Sequence, residues 1–303
     1  MTDDLIPLAS GTTRVAVTLA GGCIAAYATE TDGTRHDWLR RASTSAIARG
    51  DPLGMSCFPL VPFSNRIRNG RFQAGRHAVV LPANEPGEPH AIHGHGWQRR
   101  WRVAERGPDR LLLVYAHAPD AWPFAYEAWQ RFALDGPRLA VEIGLRNTGA
   151  EAMPAGIGLH PYIARVPGLR LEAAVDGVWL SDAEVLPTAH AAPPPPAMDI
   201  RSGATVDDLV LDNCFTGWDR RAGLAWPGGG ARLGIEATAP LDFLVVYSPA
   251  DRSCLCVEPV SHIIDGFNLA ARGVPGTGTR LLAPGEELSA TVTFTPSLGQ
   301  PPR

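Results

Sequence analysis

The stretch Leu139-Ala-Val-Glu-Ile-Gly-Leu145 decides the fold class, because apolar residues stand at every second position. Successive side chains of a β-strand point to opposite faces, so this spacing predicts a strand with one buried and one wet face. The same period recurs in three further sets: Val15, Val17 and Leu19; Leu233, Ile235 and Ala237; and Leu288, Ala290, Val292 and Phe294. Strands of this kind indicate an all-β protein with antiparallel sheets.

Longer apolar runs at 111–115, 243–247 and 254–257 predict strands buried on both faces, and hence stacked sheets. No amphipathic pattern of period 3.6 extends beyond a turn or two, so we expect little helix. A length of 303 residues alone favours two domains. However, strands of the same character flank the proline-rich stretch 191–196, which we interpret as a surface loop rather than a domain boundary.

Composition narrows the classes of function. A hydrophobic content of 45% and a net charge of -4 are typical of a soluble globular protein, and neither nucleic acid nor a membrane is indicated as a partner. Residues 1–10 carry acids where a signal peptide needs bases, so we expect a cytoplasmic protein. The five cysteines lack metal-site spacing and are expected to be reduced and structural.

All 27 basic residues are arginines, and the absence of lysine excludes several mechanisms. Imine chemistry, a P-loop and a kinase-type site all require a lysine. No nucleophile elbow of the GxSxG type and no GxGxxG motif after a strand occurs. Acid–base chemistry, metal chemistry or plain binding remain.

Glu258 and His160 are the candidates for acid–base work. Glu258 lies in a strand-like run with Cys254 and Cys256 on its own face, and burying a carboxylate there is costly unless it is paired or borders a cleft. His160 stands between glycines and Pro161, which is expected to stop its strand, whereas Pro259 is expected to end ladder hydrogen bonding beside Glu258 where the strand opens into a pocket. A salt-bridged Glu258 and a structural His160 are the alternatives.

Two polar segments supply candidates for ligand binding. In His93-Gly-His95 the i, i+2 spacing on a strand would place both imidazoles on one face, where they could chelate a metal. A few residues later stand Arg99 and Arg100, and the next acid is Glu105, which favours a hydroxyl ligand over a cation. Asn65-Arg66 pairs an amide with a forked guanidinium, and Asp212 offers an acceptor, although each suits a turn or a salt bridge equally.

The chain resembles the aldose 1-epimerase family, the galactose mutarotase type, from about Val15 to Pro296. The resemblance rests on five motifs in the same order: Asn65-Arg66-Ile67 with Gly70-Arg-Phe72; Ile92-His-Gly94 with Trp101; Leu159-His-Pro-Tyr162; Leu211-Asp-Asn-Cys-Phe215; and Glu258. It implies a single domain over residues 1–303, a large antiparallel β-sandwich of the galactose mutarotase-like supersandwich type.

The resemblance also implies roles for six residues. His160 is expected to be the general acid and Glu258 the general base, while Asn65, Arg66, His93 and Asp212 hold a monosaccharide. The implied reaction is the interconversion of α and β anomers of a free aldose through ring opening and reclosure, without a cofactor or a metal. Val245 stands where many relatives carry a glutamine, so galactose is not assumed as the substrate. His262 follows Glu258 closely and is a candidate neighbour of the base.

Two other functions stay open at this point. Arg66, Arg68, Arg71 and Arg76 could converge on a phosphate, which would indicate a hexose-6-phosphate 1-epimerase. A sugar-binding module without chemistry is the other alternative. Both a monomer and a homodimer are compatible with the sequence.

Overall fold

The computed structural model describes residues 4–251 and 254–299. The ends of the predicted 1–303 domain, residues 1–3 and 300–303, therefore lie outside the described residues. The strands are β1 (Leu5–Ser10), β2 (Thr13–Thr18), β3 (Ile24–Thr31), β4 (Thr34–Asp37), β5 (Cys57–Leu60), β6 (Arg66–Ile67), β7 (Arg71–Ala74), β8 (His77–Val80), β9 (Ala91–Ile92), β10 (Arg102–Arg106), β11 (Arg110–His117), β12 (Tyr126–Asp135), β13 (Arg138–Asn147), β14 (Met153–Ala155), β15 (Gly158–Ile163), β16 (Arg170–Ala173), β17 (Gly177–Ser181), β18 (Pro187–Ala191), β19 (Ala204–Thr205), β20 (Leu211–Thr216), β21 (Arg221–Ala225), β22 (Ala231–Ala237), β23 (Phe243–Ser248), β24 (Leu255–Val260), β25 (Arg280–Leu282) and β26 (Glu287–Leu298).

Two large antiparallel sheets dominate the structure. In the first, the strand order is β1-β2-β3-β5-β15-β24-β23-β20-β17-β18, with β4 paired to β3. In the second, it is β10-β11-β12-β13-β26-β22-β21-β16-β19. Three two-stranded ribbons, β14-β25, β6-β9 and β7-β8, complete the described strands. The predicted all-β class is confirmed.

The core lies between the two large sheets. Leu139, Val141, Ile143 and Leu145 of β13 are all buried, as their alternation predicts, and they belong to a hydrophobic cluster that draws on both sheets. The ring of Tyr27 on β3 packs edge-on against Phe294 on β26, with 6.3 Å between centroids. The apolar faces of the sheets are thus removed from water against each other, as in a β-sandwich.

The longer apolar runs had mixed outcomes. Strand β23 is buried at five of its six positions, as predicted. It lies inside the first sheet, between β24 and β20. The prediction for residues 111–115 was wrong: β11 alternates, and Leu112 and Val114 are only partly buried. Strand β11 pairs with the edge strand β10, and its face with Leu112 and Val114 is only partly covered.

Helix is scarce, as predicted. The two α-helices, α1 (Thr44–Arg49) and α2 (Gly266–Ala271), have six residues each. No helix within the described residues has the length and apolar character needed to cross a membrane. The single-domain organisation of residues 1–303 stays a prediction.

Candidate active site

A carboxyl–imidazole pair joins two central strands of the first sheet. Nε2 of His160 on β15 lies 3.2 Å from Oε1 of Glu258 on β24. The antiparallel register, with Gly158 opposite Val260 and Tyr162 opposite Cys256, brings these two positions face to face. Only 6% of His160 and 1% of Glu258 are exposed, so the pair is close to dry.

Two prolines shape the sheet around the pair, but not as the sequence predicted. Neither Pro161 nor Pro259 ends its strand: both lie inside β15 and β24, which continue to Ile163 and Val260. The prediction that Pro161 stops its strand was wrong, and pairing does not end at Pro259, because Val260 still pairs with Gly158 and Phe243. Both prolines lack a backbone N–H, and the ladder between the strands has no paired positions from 159 to 161. An interruption in hydrogen bonding, rather than a strand end, accompanies the contact between His160 and Glu258.

Burial sets the protonation of the pair. Desolvation, followed by repulsion from Asp212, raises the pKa of Glu258 well above its usual value. Desolvation lowers the pKa of His160 to about 3. Both shifts favour a neutral pair that holds one proton. Oε2 of Glu258 and Nδ1 of His160 have no hydrogen-bond partner within the described residues, so each group has one buried polar atom unsatisfied.

Aromatic rings fix the orientation of the imidazole. Phe58 lies opposite His160 in the β5–β15 register and stacks on its ring, with 4.3 Å between centroids and an interplanar angle of 24°. Tyr162 packs beside the same ring at 4.7 Å. The face of the imidazole is therefore held by packing, which leaves its edge for chemistry.

Asn65 and His93 brace each other through two hydrogen bonds. The backbone N–H of Asn65 donates to Nδ1 of His93 at 3.1 Å, and the backbone N–H of His93 donates to the carbonyl of Asn65 at 3.0 Å. Desolvation, aided by the neighbouring His160, lowers the pKa of His93 well below its usual value. A neutral imidazole that accepts at Nδ1 must carry its proton at Nε2, so His93 can offer one N–H to a ligand.

Arg66 is held by acidic and amide side chains. Its Nε lies 2.8 Å from Oε2 of Glu88, and its NH1 group lies 3.4 Å from Oδ2 of Asp212 and 3.3 Å from Oδ1 of Asn65. Burial raises the pKa of Asp212, and Arg66 opposes that rise. These contacts fix the plane of the guanidinium beside the partly buried Asp212 carboxylate, which is a hydroxyl acceptor.

All six predicted site residues line one cavity of about 350 Å³: Asn65, Arg66, His93, His160, Asp212 and Glu258. Five strands and the residues next to them supply the six side chains: β6, β9, β15, β20 and β24. The cavity combines rigid donors, carboxylates and aromatic walls, and its volume falls in the range of small-ligand sites. Whether each residue has its expected role stays a prediction.

Sequence reasoning missed several other residues of this cavity. Arg40 lies over the Tyr162 ring, 3.9 Å from the centroid, and Tyr247 stands in the wall. Glu85 and Glu88 also line the cavity, from the segment between β8 and β9. That segment has no strand periodicity, so its sequence gave only the acidic composition as a signal.

His95 does not join His93. The metal interpretation assumed that both histidines lie on one strand face, and this premise was wrong, because β9 ends at Ile92 and His93 has φ 61°. Nε2 of His95 instead lies 2.9 Å from Nδ1 of His117 and 2.8 Å from the Tyr126 hydroxyl. His95 therefore belongs to a separate polar cluster.

His262 anchors the loop before Asn65 rather than the base. Its Nδ1 lies 2.8 Å from the carbonyl of Ile263, and its Nε2 accepts from the backbone N–H of Ser64 at 3.1 Å. Both ring nitrogens are thus engaged away from Glu258. Burial lowers the pKa of His262 to about 4, so the ring stays neutral in this arrangement.

The four arginines considered for a phosphate do not converge. Among these four described residues, Arg66 alone lines the cavity. Arg68 and Arg71 border a separate surface depression with Asp265, and Arg76 pairs with Glu151. A phosphate in the cavity would meet the carboxylates of Glu85, Glu88 and Asp212.

Three buried side chains offer donors suited to a metal ion. Ligand atoms of His160, Cys256 and Glu258 all lie within 4.8 Å of one another, and zinc accepts such a set. Metal ligands must be deprotonated, whereas desolvation raises the pKa of the Cys256 thiol and of the Glu258 carboxyl. Their protonation opposes a bound cation, and metal-free function stays a prediction.

Comparison with known proteins decides the family. The family model for aldose 1-epimerase matches residues 4–295. The chain belongs to the aldose 1-epimerase family. The uncharacterized protein YphB of Escherichia coli K12 is 31% identical to this family member over 294 residues, which cover 95% of this chain and 97% of YphB.

Solved structures show the same fold as this aldose 1-epimerase family member. A proposed aldose 1-epimerase from Escherichia coli K12 superposes with a TM-score of 0.86 and 28% identity, covering 97% of this chain and 99% of that one. A galactose mutarotase-like protein from Clostridium acetobutylicum gives 0.84 and 22%, covering 97% and 95%. The family and the structure of 28% identity together support an aldose epimerase function in general terms.

Proposed function

We propose that this protein is an aldose 1-epimerase that interconverts the α and β anomers of a free monosaccharide. The observation that carries the proposal is the buried contact between His160 and Glu258 at 3.2 Å, inside a cavity that also holds Arg66, His93 and Asp212. Mutarotation needs one group to take the proton of the anomeric hydroxyl and one to protonate the ring oxygen.

The proton count of the pair suits this reaction. The neutral pair and the ion pair of Glu258 carboxylate with His160 imidazolium hold the same single proton, so conversion between them takes no proton from water. A sugar placed between the two side chains separates their direct contact. Glu258 then removes the anomeric proton while His160 protonates the ring oxygen, which opens the ring to the aldehyde.

Reclosure completes the cycle. Rotation about the bond between the first two carbons exposes the other face of the aldehyde. The hydroxyl on the fifth carbon then attacks, His160 takes back its proton, and Glu258 returns a proton to the new anomeric oxygen. Arg66, Asp212, Asn65 and the Nε2–H of His93 hold the remaining hydroxyls, so the sugar keeps its place while the ring is open.

Polarimetry tests the proposal directly. Fresh α-anomers of galactose, glucose and arabinose should lose their initial rotation faster with protein than without it. Glu258→Gln should lower kcat about 10²- to 10⁴-fold, because the amide cannot accept the anomeric proton. Glu127→Gln, on the exposed face of β12, is the matched control and should retain full activity.

Two outcomes would contradict the proposal. Rates that match the protein-free blank for every sugar would exclude mutarotation of these aldoses, and saturable sugar binding in the same experiment would indicate a binding module. Full activity in Glu258→Gln would exclude the assigned base.

A further inference from the structure

The segment between β8 (His77–Val80) and β9 (Ala91–Ile92) adds two carboxylates to the cavity. Glu88 is committed to structure: its Oε2 accepts from Nε of Arg66 at 2.8 Å, and its Oε1 accepts from the backbone N–H of His90 at 3.2 Å. Glu85 lines the same cavity, three residues earlier, and is half-buried.

Both cations of the cavity are already engaged. Arg66 contacts Glu88, Asp212 and Asn65. Arg40 donates to the carbonyls of Leu53 and Met55 at 2.5 and 2.8 Å and lies over the Tyr162 ring. The charge of Arg66 is therefore balanced by acids, whereas Arg40 donates to neutral carbonyls and keeps its charge. The carboxyl groups of Glu85, Glu88 and Asp212 still outnumber these two guanidiniums in the cavity wall, so a further negative charge meets a surplus of acids.

Glu85 is the carboxylate without a committed partner. Within residues 4–251 and 254–299, no hydrogen bond or ion pair engages its side-chain oxygens. Burial, followed by repulsion from Glu88, raises its pKa, and Arg66 opposes this. Such a carboxylate can accept hydroxyl or ammonium hydrogens from a ligand, and it repels a second anion.

Glu85 lines the same cavity as the pair of His160 and Glu258, but from another part of the fold. Glu85 comes from the segment between β8 and β9, whereas His160 and Glu258 come from β15 and β24. Arg66 contacts Glu88 of that segment at 2.8 Å and Asp212 at 3.4 Å, which ties the segment to the cavity wall. A sugar whose anomeric carbon meets the pair therefore has its other substituents enclosed by a wall that includes Glu85.

We propose that Glu85 forms a subsite in the cavity wall that selects neutral and amino sugars and rejects anionic ones such as uronic acids and sugar phosphates. This inference rests on the proposed function, because it orients the sugar by its anomeric carbon. It assigns Glu85 a role in specificity and Glu88 a role in positioning Arg66.

Polarimetry with a matched set of sugars tests the subsite. Glucose, glucosamine, glucuronic acid and glucose 6-phosphate are compared at low salt with the wild-type protein, Glu85→Gln and the surface control Glu127→Gln. We expect kcat/KM for the two anionic sugars to lie well below that for glucose. Glu85→Gln removes one negative charge from the cavity wall, so it should narrow the ratio of kcat/KM between glucose and the anionic sugars about fivefold. Glu127→Gln should leave that ratio unchanged. High salt should narrow it in the wild-type protein as well.

The outcomes separate the subsite from the reaction. If the protein accelerates glucose and the anionic sugars equally, the subsite is overturned while mutarotation stands. The same holds if Glu85→Gln leaves the discrimination between these sugars intact. If no sugar is accelerated, calorimetric titration with glucose and glucuronic acid still decides. Preferential binding of glucose, lost in Glu85→Gln, would support the subsite, whereas equal binding or no binding of either sugar would overturn it.

Discussion

At the scale of single residues, His93 separates two tasks onto its two nitrogens. Nδ1 accepts from the backbone N–H of Asn65 and holds the loop, which leaves Nε2–H for the ligand. Asparagine places its oxygen near the position of Nδ1 and tolerates the positive φ of 61°. We predict that His93→Asn keeps the fold but raises KM about tenfold, because one hydrogen bond to the sugar is lost.

His93→Ala provides the contrast. It loses both functions, so its free energy of unfolding should fall about 1–2 kcal/mol below that of His93→Asn. Urea unfolding and polarimetric KM measurements on both variants decide the matter. Equal stability of the two variants, or an unchanged KM in His93→Asn, would contradict the division of tasks.

The pair of His160 and Glu258 predicts an unusual pH profile. The active pair holds one proton; a second proton binds only below the lowered pKa of His160, about 3, and the single proton leaves only above the raised pKa of Glu258. These values belong to the pair as a unit. We therefore expect kcat/KM to show no acid limb near 6.5, the ordinary value for imidazole.

Polarimetry between roughly pH 5 and 8 checks this, with a protein-free blank at each pH and circular dichroism to confirm folding. A halving of kcat/KM near pH 6.5 without loss of structure would show that His160 titrates as an ordinary imidazole. It would contradict the claim that burial keeps one proton on the pair across this pH range.

At the scale of elements, the turn between β14 (Met153–Ala155) and β15 (Gly158–Ile163) locks the sugar-facing loop in place. A Cβ on Gly156 would lie 2.0 Å from Cδ2 and 2.3 Å from Nε2 of His262, the ring that accepts from the Ser64 N–H. We predict that Gly156→Ala destabilises the protein by about 2 kcal/mol and raises KM, because His262 must leave the Ser64 amide.

Gly223→Ala on β21 is the control for this substitution. Its added Cβ would meet no heavy atom within 4 Å, and Gly223 has no positive φ. Urea unfolding should therefore show no loss for Gly223→Ala. If Gly156→Ala proves as stable as Gly223→Ala, the packing of His262 does not hold the loop.

The elements also show how far the sequence could predict this molecule. Strands such as β13 were predictable, because burial of one sheet face imposes a period of two on the residues themselves. The contact of His160 with Glu258 was not, because it depends on the pairing of β15 with β24, which neither segment encodes alone. Strand geometry also failed for His93 and His95, where a left-handed residue turns the chain, and Glu85 lies in a segment without periodicity.

At the scale of the whole molecule, three buried histidines and the partly buried His95 couple stability to pH. Desolvation lowers the pKa of His95 and His160 to about 3, that of His262 to about 4, and that of His93 well below its usual 6.5. Below pH 6.5 the unfolded chain binds protons at these four sites that the folded chain does not, so stability falls as the pH falls. Glu258 acts in the opposite direction, because its raised pKa lets the folded state keep a proton that the unfolded state releases above about 4.5.

Burial also lowers the pKa of His36 and His117 and raises the pKa of Asp212 and Glu85. The histidines outweigh the carboxyls in the window between pH 4.5 and 6.5. We predict that the free energy of unfolding drops by about 3 kcal/mol from pH 7 to pH 5.5, measured by urea denaturation at constant ionic strength. His95→Gln removes one of the four sites without touching the sugar cavity and should make this drop smaller by roughly a quarter to a half. Ser289→Ala, at an exposed position of β26 without a titratable group, is the control and should leave the drop unchanged. A stability that rises or stays level on acidification would mean that these imidazoles accept protons in the folded state, and the neutral-pair account of the site would fail with it.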